Sequence, residues 1–176
     1  MKTCLVVIDY QYDFVEGALG FEAAKTIEAR IIDHIRRTRK EAGIVVFTLD
    51  THDDNYLETE EGRHLPIKHC LKGTPGHCLT ERIEAMRIPE DPVFEKPSFP
   101  SLELGDYLRQ EDFAVIRLVG LVSNICVLSN AVIAKAACPE AKIIIDAAAT
   151  ASFDMDLHEK AFDIMAGLHI HIENRG

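Results

Sequence analysis

The stretch CLVVID, from Cys4 to Asp9, is a continuous apolar run that an acidic residue closes. Such a run is typical of a strand that is buried on both faces, as in parallel sheets. A second run, IVVFTLD (Ile44–Asp50), has the same pattern and also ends in Asp. Between the two runs, apolar residues recur at helical spacing from about Glu22 to Glu41, which predicts a helix with one buried face. This order of strand, helix and strand indicates a parallel βαβ unit.

The same alternation continues to the end of the chain. Further strands are predicted at Pro92–Lys96, Phe113–Gly120, Lys142–Ala147 and His169–Glu173, and helices at Thr80–Met86, Leu102–Gln110, Asn124–Ala137 and Asp156–Ala166. The polar segment from Thr51 to Cys78 has no steady periodicity, and so long a loop in a compact domain is usually functional. We therefore expect a single α/β domain over residues 1–176. It should have a three-layer αβα arrangement, in which helices cover both faces of a Rossmann-like, mostly parallel sheet of about six strands.

The composition excludes several classes of protein. The chain is 47% hydrophobic, which excludes intrinsic disorder, and no run approaches the ~20 apolar residues of a membrane span. It carries 29 acidic against 19 basic residues, a formal net charge of -10, which disfavours nucleic acid as a partner. The N-terminus does not have the pattern of a signal peptide. The odd number of cysteines, 5, indicates free thiols in a reducing compartment, so we expect a cytoplasmic protein.

Chemically versatile side chains follow the ends of the predicted strands. Asp9, Asp50 and Lys96 each close a strand, and Cys126 comes shortly after another. Because ligands bind at the carboxyl ends of parallel strands, we expect these side chains to share one edge of the sheet. The position of Cys126 near the first turn of a helix would lower the pKa of its thiol, and backbone N–H groups there can hold an oxyanion. An acid and a lysine beside it would complete a proton-transfer triad. The alternatives are a buried apolar cysteine, a capping aspartate and a solvated lysine.

A second set of side chains suits a metal ion. Asp50 and His52 lie two residues apart in LDTH, and His69 follows in HCLKGTPG. One carboxylate with two imidazoles is a donor set for Zn, Mn or Fe. The candidates for a further ligand in the loop are Glu58, Glu60, Glu61, His64 and, as a softer option, Cys70. The alternative is that these loop residues are solvent-exposed and bind no metal.

Five short motifs occur in the order found in a known family. They are DYQYDF (Asp9–Phe14), LDTH (Leu49–His52), HCLKGTPG (His69–Gly76), EKPSF (Glu95–Phe99) and GLVSNICV (Gly120–Val127). Over nearly its whole length the chain resembles the isochorismatase-like cysteine hydrolases, and within them the nicotinamidase/pyrazinamidase branch. The resemblance implies a three-layer αβα fold, a small-molecule substrate, and a homo-oligomer, either a dimer or a tetramer.

The resemblance also implies roles in catalysis. Cys126 would attack the carboxamide carbon of nicotinamide, Asp9 would act as general base and then acid, and Lys96 would complete the triad. Ammonia leaves, and water then hydrolyses the thioester to nicotinate. In this family a cis peptide bond precedes the cysteine, and in this chain it would fall at Leu121–Val122. The N–H groups of Val122 and Cys126 would form the oxyanion hole.

Ligands for a metal ion and for the substrate ring follow from the same resemblance. The nicotinamidases of this family bind a divalent metal ion that holds the pyridine nitrogen. The residues that match its ligands are Asp50, His52, His69 and, by approximate spacing, Glu61, with His64 as the second choice for that last position. Phe14 and Phe99 are expected to be walls that pack against the ring.

Two departures from the family pattern concern the substrate. Asn124 stands where the nicotinamidase turn usually carries Asp, and the aromatic residue often found before the metal histidine is missing from Leu65–Ile67. The alternatives are therefore hydrolysis of another small amide, ureide or isochorismate-like compound, and a non-catalytic binding role. A redox sensor ranks last, because the cysteines lack a C-x-x-C pair. The retained metal ligands favour nicotinamide, since family members without amidase activity commonly lose them.

Overall fold

A six-stranded parallel sheet forms the centre of the protein. The computed structural model describes residues 1–176, with the strands in the order β3-β2-β1-β4-β5-β6. The strands are β1 (Thr3–Ile8), β2 (Ile44–Asp50), β3 (Val93–Lys96), β4 (Val115–Leu121), β5 (Lys142–Ala151) and β6 (His171–Glu173), and all neighbouring pairs are parallel. The strand order changes direction beside β1, which is where doubly wound sheets bind ligands.

Helices cover both faces of the sheet. They are α1 (Tyr12–Val15), α2 (Glu22–Thr26), α3 (Glu28–Lys40), α4 (Glu60–His64), α5 (Glu81–Glu84), α6 (Leu102–Glu111), α7 (Leu128–Ala137) and α8 (Met155–Gly167). Two 3₁₀ turns (Tyr56–Glu58 and Pro75–His77) and a π-helical turn (Ser123–Val127) complete the regular structure. Helices α2, α3 and α5 pack on one face and α6, α7 and α8 on the other, which confirms the predicted three-layer αβα class. None of the helices has the length and apolar character needed to cross a membrane.

The central strand β1 shows how one apolar run fills both layers. Cys4, Val6 and Ile8 pack with α6, α7 and α8. Leu5 and Val7 point to the opposite face and pack with α2, α3 and α5. All five side chains are buried, as expected for the continuous apolar run at the centre of a parallel sheet.

The largest differences from the predicted bounds concern three elements, while the other elements shift by one or two residues at their ends. The helix expected over about Glu22–Glu41 is two helices, separated at Ile27, whose φ of -90° departs from the helical value. Strand β5 continues past Ala147 to Ala151, after a shift in its register with β4. The helix expected from Asn124 begins instead with the π-helical turn, and the α-helical part follows it as α7.

A buried carboxylate ties α3 and the C-terminal segment to β5. Asp146 is fully buried, and its Oδ2 accepts a hydrogen bond from Arg30 (2.8 Å) and lies 2.6 Å from Nε2 of His34. Its Oδ1 accepts a hydrogen bond from Asn174 (3.0 Å). Burial alone would raise the pKa of Asp146, but the hydrogen bonds from His34, Arg30 and Asn174 hold it well below its usual range. The ionised form of this carboxylate is therefore part of the folded state.

We expect Asp146→Asn to lower the free energy of unfolding by about 2 kcal/mol near neutral pH, because the amide cannot satisfy the same donors. The folded-state pKa lies below the unfolded value of about 4, so this contribution is present above that value and is lost as the pH falls below it. Urea unfolding followed by circular dichroism measures the effect. The difference in unfolding free energy between variant and wild type should stay constant from pH 7 to about pH 5 and narrow below about pH 4. Asp163→Asn, at a carboxylate that is 69% exposed, is the control and should change stability little.

Candidate functional site

Four chemically active side chains meet at the carboxyl edge of the sheet. Asp9 follows β1, while Asp50 and Lys96 end β2 and β3 and are paired in register across them. Cys126 lies in the π-helical turn that follows β4. All four residues are buried. The structure thus brings together the residues that the sequence predicted for this edge.

Unusual backbone conformations occur where β1 and β4 end side by side. Asp9 has a φ of +44°, a left-handed conformation that is uncommon outside glycine and is concentrated at functional sites. Gly120 has a φ of +113°, and a Cβ at this position would lie 2.1 Å from the carbonyl oxygen of Ile8. Only glycine lets the two strands approach this closely. The peptide bond Leu121–Val122 is cis, at the position that the family resemblance implies.

Lys96 is the centre of the charged group. Its Nζ lies 2.6 Å from Oδ2 of Asp9, 3.3 Å from Oδ1 of Asp50 and 3.5 Å from Sγ of Cys126. It also donates a hydrogen bond to the carbonyl oxygen of Ser98 (3.1 Å). Burial alone would lower the pKa of Lys96, but Asp9, Cys126 and Asp50 outweigh burial and raise it. The lysine therefore stays protonated and holds a fixed positive charge beside the thiol.

The pKa of the Cys126 thiol is raised well above its ordinary value, so the expectation of a lowered pKa was wrong. Burial raises it, the charge of Lys96 lowers it, and the charges of Asp9 and Asp50 raise it further. Burial also raises the pKa of Asp9 and outweighs the opposing effect of Lys96. The thiol therefore needs a proton acceptor to become a thiolate, and a carboxylate with a raised pKa lies in the same group.

The predicted metal ligands form a second group of side chains next to the first. This metal-ligand group consists of Asp50, His52, Glu61 and His69. Nε2 of His52 lies 3.0 Å from Oδ2 of Asp50 and 3.6 Å from Oε1 of Glu61. Nε2 of His69 lies 3.3 Å and 3.6 Å from the same two oxygens. One ligand atom from each of the four residues lies within 4.8 Å of all the others. Nδ1 of His69 lies 2.8 Å from the carbonyl oxygen of Ile67, an arrangement that leaves Nε2 free to act as a ligand. Two carboxylates and two imidazoles fit a divalent ion such as Zn, Mn or Fe.

The electrostatics of this group also suit a cation. Burial alone would raise the pKa of Asp50, but hydrogen bonds from His52 and His69 lower it well below its usual range. Burial and the nearby Asp50 raise the pKa of Glu61. Burial lowers the pKa of His69, but Asp50 outweighs this and raises it. A divalent cation between the two carboxylates would neutralise their charge.

The other loop candidates lie outside the group. The side chains of Glu60 and His64 are 80% and 78% exposed and share one face of α4, whereas Glu61 lies on the inner face. Glu58 is exposed in the preceding 3₁₀ turn. Cys70 is buried, but its Sγ faces a backbone carbonyl 3.9 Å away. Of the candidates from the sequence, the structure brings only Glu61 to the two histidines and Asp50.

A cavity of about 310 Å³ opens beside Cys126 and the metal-ligand group. Its volume is at the lower end of the range for small-molecule sites, roughly 300–1,000 Å³. Most of its lining is apolar, and the charged or titratable side chains there, apart from the thiol, are Asp50, Glu61 and His69. No lysine or arginine lines it. The cavity therefore suits a largely apolar, uncharged ligand.

Aromatic rings form the walls of this cavity. Phe14 and Phe99 line it, where the sequence predicted substrate-packing walls, and the ring of Phe14 lies 5.6 Å from that of His69. Phe21 and Phe153 also line it, with their rings edge to face at 6.0 Å. Neither residue was predicted from the sequence. The available signal for Phe153 was its place just beyond the carboxyl end of β5.

Three further side chains support the site and were not identified from the sequence. Nε2 of Gln11 donates to the carbonyl oxygen of Asp50 (2.9 Å), and Oε1 of Gln11 accepts from the Asp50 N–H (2.8 Å). The hydroxyl of Thr48 donates to Oδ1 of Asp9 (2.6 Å). The ring of Tyr56 packs against both histidine rings of the metal-ligand group, at 4.6 and 5.0 Å. Gln11 lies inside the DYQYDF motif, which could have indicated it, whereas Thr48 and Tyr56 lie in no motif.

The sequence matches a known family and a known relative. The family profile described as the isochorismatase domain matches residues 3–173. A relative from Bacillus subtilis (strain 168), described as an uncharacterized isochorismatase family protein, PncA, is 30% identical over 177 residues. This match covers 94% of the present chain and 95% of the relative.

Solved structures with the same fold include several amidases. The nicotinamidase/pyrazinamidase PncA from Bacillus subtilis is 30% identical, with a TM-score of 0.87 and coverage of 99% of this chain and 100% of that one. The pyrazinamidase of Pyrococcus horikoshii in complex with zinc is 24% identical, with a TM-score of 0.84 and 98% of each chain covered. The N-carbamoylsarcosine amidase from Thermoplasma acidophilum is 24% identical, with a TM-score of 0.82, covering 98% of this chain and 96% of that one.

Proposed function

The chain belongs to the isochorismatase family of hydrolases, and from this premise we propose that it is a metal-dependent nicotinamidase, which converts nicotinamide and water to nicotinate and ammonia. The observation that carries the proposal is the cavity, whose lining holds the Cys126 thiol, three of the four residues of the metal-ligand group (Asp50, Glu61 and His69) and aromatic walls around them. A flat, uncharged pyridine ring suits these walls. Its carboxamide would face the thiol and its ring nitrogen the metal-ligand group.

The charge of the cavity lining favours an uncharged amide over substrates that carry a carboxylate. Isochorismate and N-carbamoyl amino acids carry carboxylates away from the bond that is cleaved. A buried carboxylate needs a cationic or hydrogen-bonding partner, and no lysine or arginine lines this cavity. The contacts of Lys96 with Cys126 and Asp9 likewise favour an enzyme over a non-catalytic binding protein.

The first half of the reaction forms a thioester. Asp9 takes the proton from the Cys126 thiol, and the fixed charge of Lys96 stabilises the thiolate as it attacks the carboxamide carbon. The carbonyl oxygen becomes an oxyanion, for which the N–H groups of Val122 and Cys126 are the proposed donors. The N–H of Val122 donates no hydrogen bond within the protein, so it is free for this role. Asp9 then gives its proton to the amide nitrogen, the C–N bond breaks and ammonia leaves.

The second half returns the enzyme to its starting state. Asp9 removes a proton from a water molecule, which attacks the thioester carbon. The C–S bond breaks, Asp9 returns its proton to the thiolate, and the nicotinic acid that leaves ionises to nicotinate in water. One carboxylate therefore acts as base and then as acid in each half of the turnover, which its raised pKa allows.

The four residues that would hold the metal ion are Asp50, His52, Glu61 and His69. When bound, such an ion supplies a Lewis acid for the ring nitrogen of the substrate. Gln11 fixes the backbone of Asp50, and Tyr56 packs against the two imidazoles, so the ligands are held in place by the protein.

The dimer or tetramer, the cytoplasmic location and the single domain over residues 1–176 stay predictions.

Ammonia release from nicotinamide tests the proposal. We expect the protein, loaded in turn with Zn, Mn and Fe, to release ammonia and nicotinate in equal amounts, with nicotinate measured by chromatography. Benzamide, which lacks the ring nitrogen, is the matched control, and its hydrolysis should be at least about tenfold slower than that of nicotinamide. Hydrolysis of isochorismate or N-carbamoylsarcosine, with no ammonia from nicotinamide under any metal, would assign the site to another substrate class.

A further inference from the structure

One fully buried amide makes its hydrogen bonds to two segments that form the site. Asn130 lies on α7, one turn after Cys126, and is buried. Its Nδ2 donates to the carbonyl oxygens of Cys126 (2.8 Å) and Phe99 (3.0 Å). Its Oδ1 accepts from the backbone N–H of Ser101 (3.0 Å). This side chain therefore connects the turn that carries the nucleophile to the segment that carries one wall of the cavity.

The segment Pro97–Ser101 has few other supports. Its sequence is PSFPS, it lies outside helices and strands until α6 begins, and its two prolines have no N–H to donate. Apart from Asn130, the side chain that bonds it from outside is Lys96, through the carbonyl oxygen of Ser98. Phe99 stands in this segment, lines the cavity and is 41% exposed. Asn130 and Lys96 are therefore the two side chains outside the segment that bond the backbone carrying this ring.

We infer that Asn130 is a positioning residue that fixes the gap between the Phe99 ring and the Cys126 thiol, and so sets how bulky a carboxamide the cavity accepts. The inference rests on the proposed function, because it takes Cys126 as the nucleophile. Asn130 does not line the cavity and acts through the two residues that do. A gap held at a fixed width favours a single flat ring over larger acyl groups.

A double-mutant cycle with Asn130→Ser and Phe99→Ala tests the inference. Serine can still bond the carbonyl one turn back, at Cys126, but it cannot reach Phe99. We expect Asn130→Ser to raise KM for nicotinamide about tenfold and to change kcat less than about threefold. In the Phe99→Ala background most of this effect should vanish, because the wall that Asn130 positions is gone. An effect of the same size in both backgrounds would overturn the inference.

Selectivity provides a second readout that a loss of stability does not move. The ratio of kcat/KM for nicotinamide to that for quinoline-3-carboxamide should fall about fivefold in Asn130→Ser. Asp146→Asn, which weakens the fold through a different network, is the control and should leave this ratio unchanged. Asn130→Asp, which keeps the side-chain shape and the bond from Ser101, is the second variant and should shift the ratio in the same direction. An unchanged ratio in both Asn130 variants would contradict the inference.

Alkylation of Cys126 separates this test from that of the proposed function. Iodoacetamide and the bulkier N-phenyliodoacetamide reach the thiol through the same cavity, and mass spectrometry of the Cys126 peptide gives both rates without any turnover. We expect the rate of the bulkier reagent relative to the smaller one to rise about fivefold in Asn130→Ser. If the wild type releases no ammonia from nicotinamide, the proposed function fails, while this ratio still decides the role of Asn130.

Discussion

Cys126→Ala is expected to lower kcat for nicotinamide hydrolysis by about 10⁵-fold. In the proposed mechanism Sγ of Cys126 becomes bonded to the acyl carbon, and neither Asp9 nor Lys96 offers a substitute nucleophile in that position. The loss should fall on kcat, because the substitution leaves untouched the cavity walls and the metal-ligand group, which are the proposed binding site of the ring. Ammonia release measures kcat, and calorimetry with nicotinate measures the retained binding.

The exposed Cys78 offers a matched control. Cys78→Ala removes a thiol of the same kind from the surface and should leave kcat unchanged. Hydroxylamine added to the wild type should divert part of the product to nicotinohydroxamate, because it intercepts a thioester more readily than it attacks an amide. Full activity in Cys126→Ala would refute the nucleophile assignment, and hydroxamate formation by this variant would place the acyl group elsewhere.

His52→Ala is expected to weaken binding of Zn by about 100-fold or more, because it removes one of the four ligand atoms that converge on one point. Elemental analysis after gel filtration should then find the variant largely free of metal, whereas the wild type retains the ion. The measurement needs no substrate, so it tests the metal site independently of the amidase reaction.

The neighbouring helix α4 provides the control for the metal prediction. His64→Ala removes an imidazole that is 78% exposed and outside the group, so metal content should not change. Saturating Zn should raise the unfolding temperature of the wild type and of His64→Ala but not that of His52→Ala, since a ligand that binds the folded state stabilises it. An equal shift in all three proteins would show that the ion binds elsewhere.

The sequence predicted those parts of the site that depend on where strands end. Asp9, Asp50 and Lys96 could be placed because each closes an apolar run, and parallel strands bring their carboxyl ends to one edge. The raised pKa of the Cys126 thiol could not be predicted, because it comes from burial under residues that are distant in sequence. The π-helical turn was missed for a related reason, since the apolar pattern of one turn does not distinguish it from an α-helix.

The sequence also could not reveal which polar side chains are buried. Gln11 and Asn130 each satisfy several backbone groups in the interior, yet a polar residue within a short or amphipathic element ordinarily suggests the exposed face. Glu61 could be selected only through the family resemblance, by approximate spacing within the loop. The physical reason for it, that Glu60 and His64 lie on the outer face of α4, needed the orientation of that helix.

Asp50 divides its two oxygens between the two groups of the site: Oδ1 faces Lys96, and Oδ2 faces the histidines His52 and His69. Substitution of Asp50 therefore cannot separate the charged group around Lys96 from the metal-ligand group. Any substitution of Asp50 alters the surroundings of the lysine and the donor set together, so an inactive Asp50 variant cannot be ascribed to either cause. Variants that dissect the enzyme must come from residues that belong to one group alone.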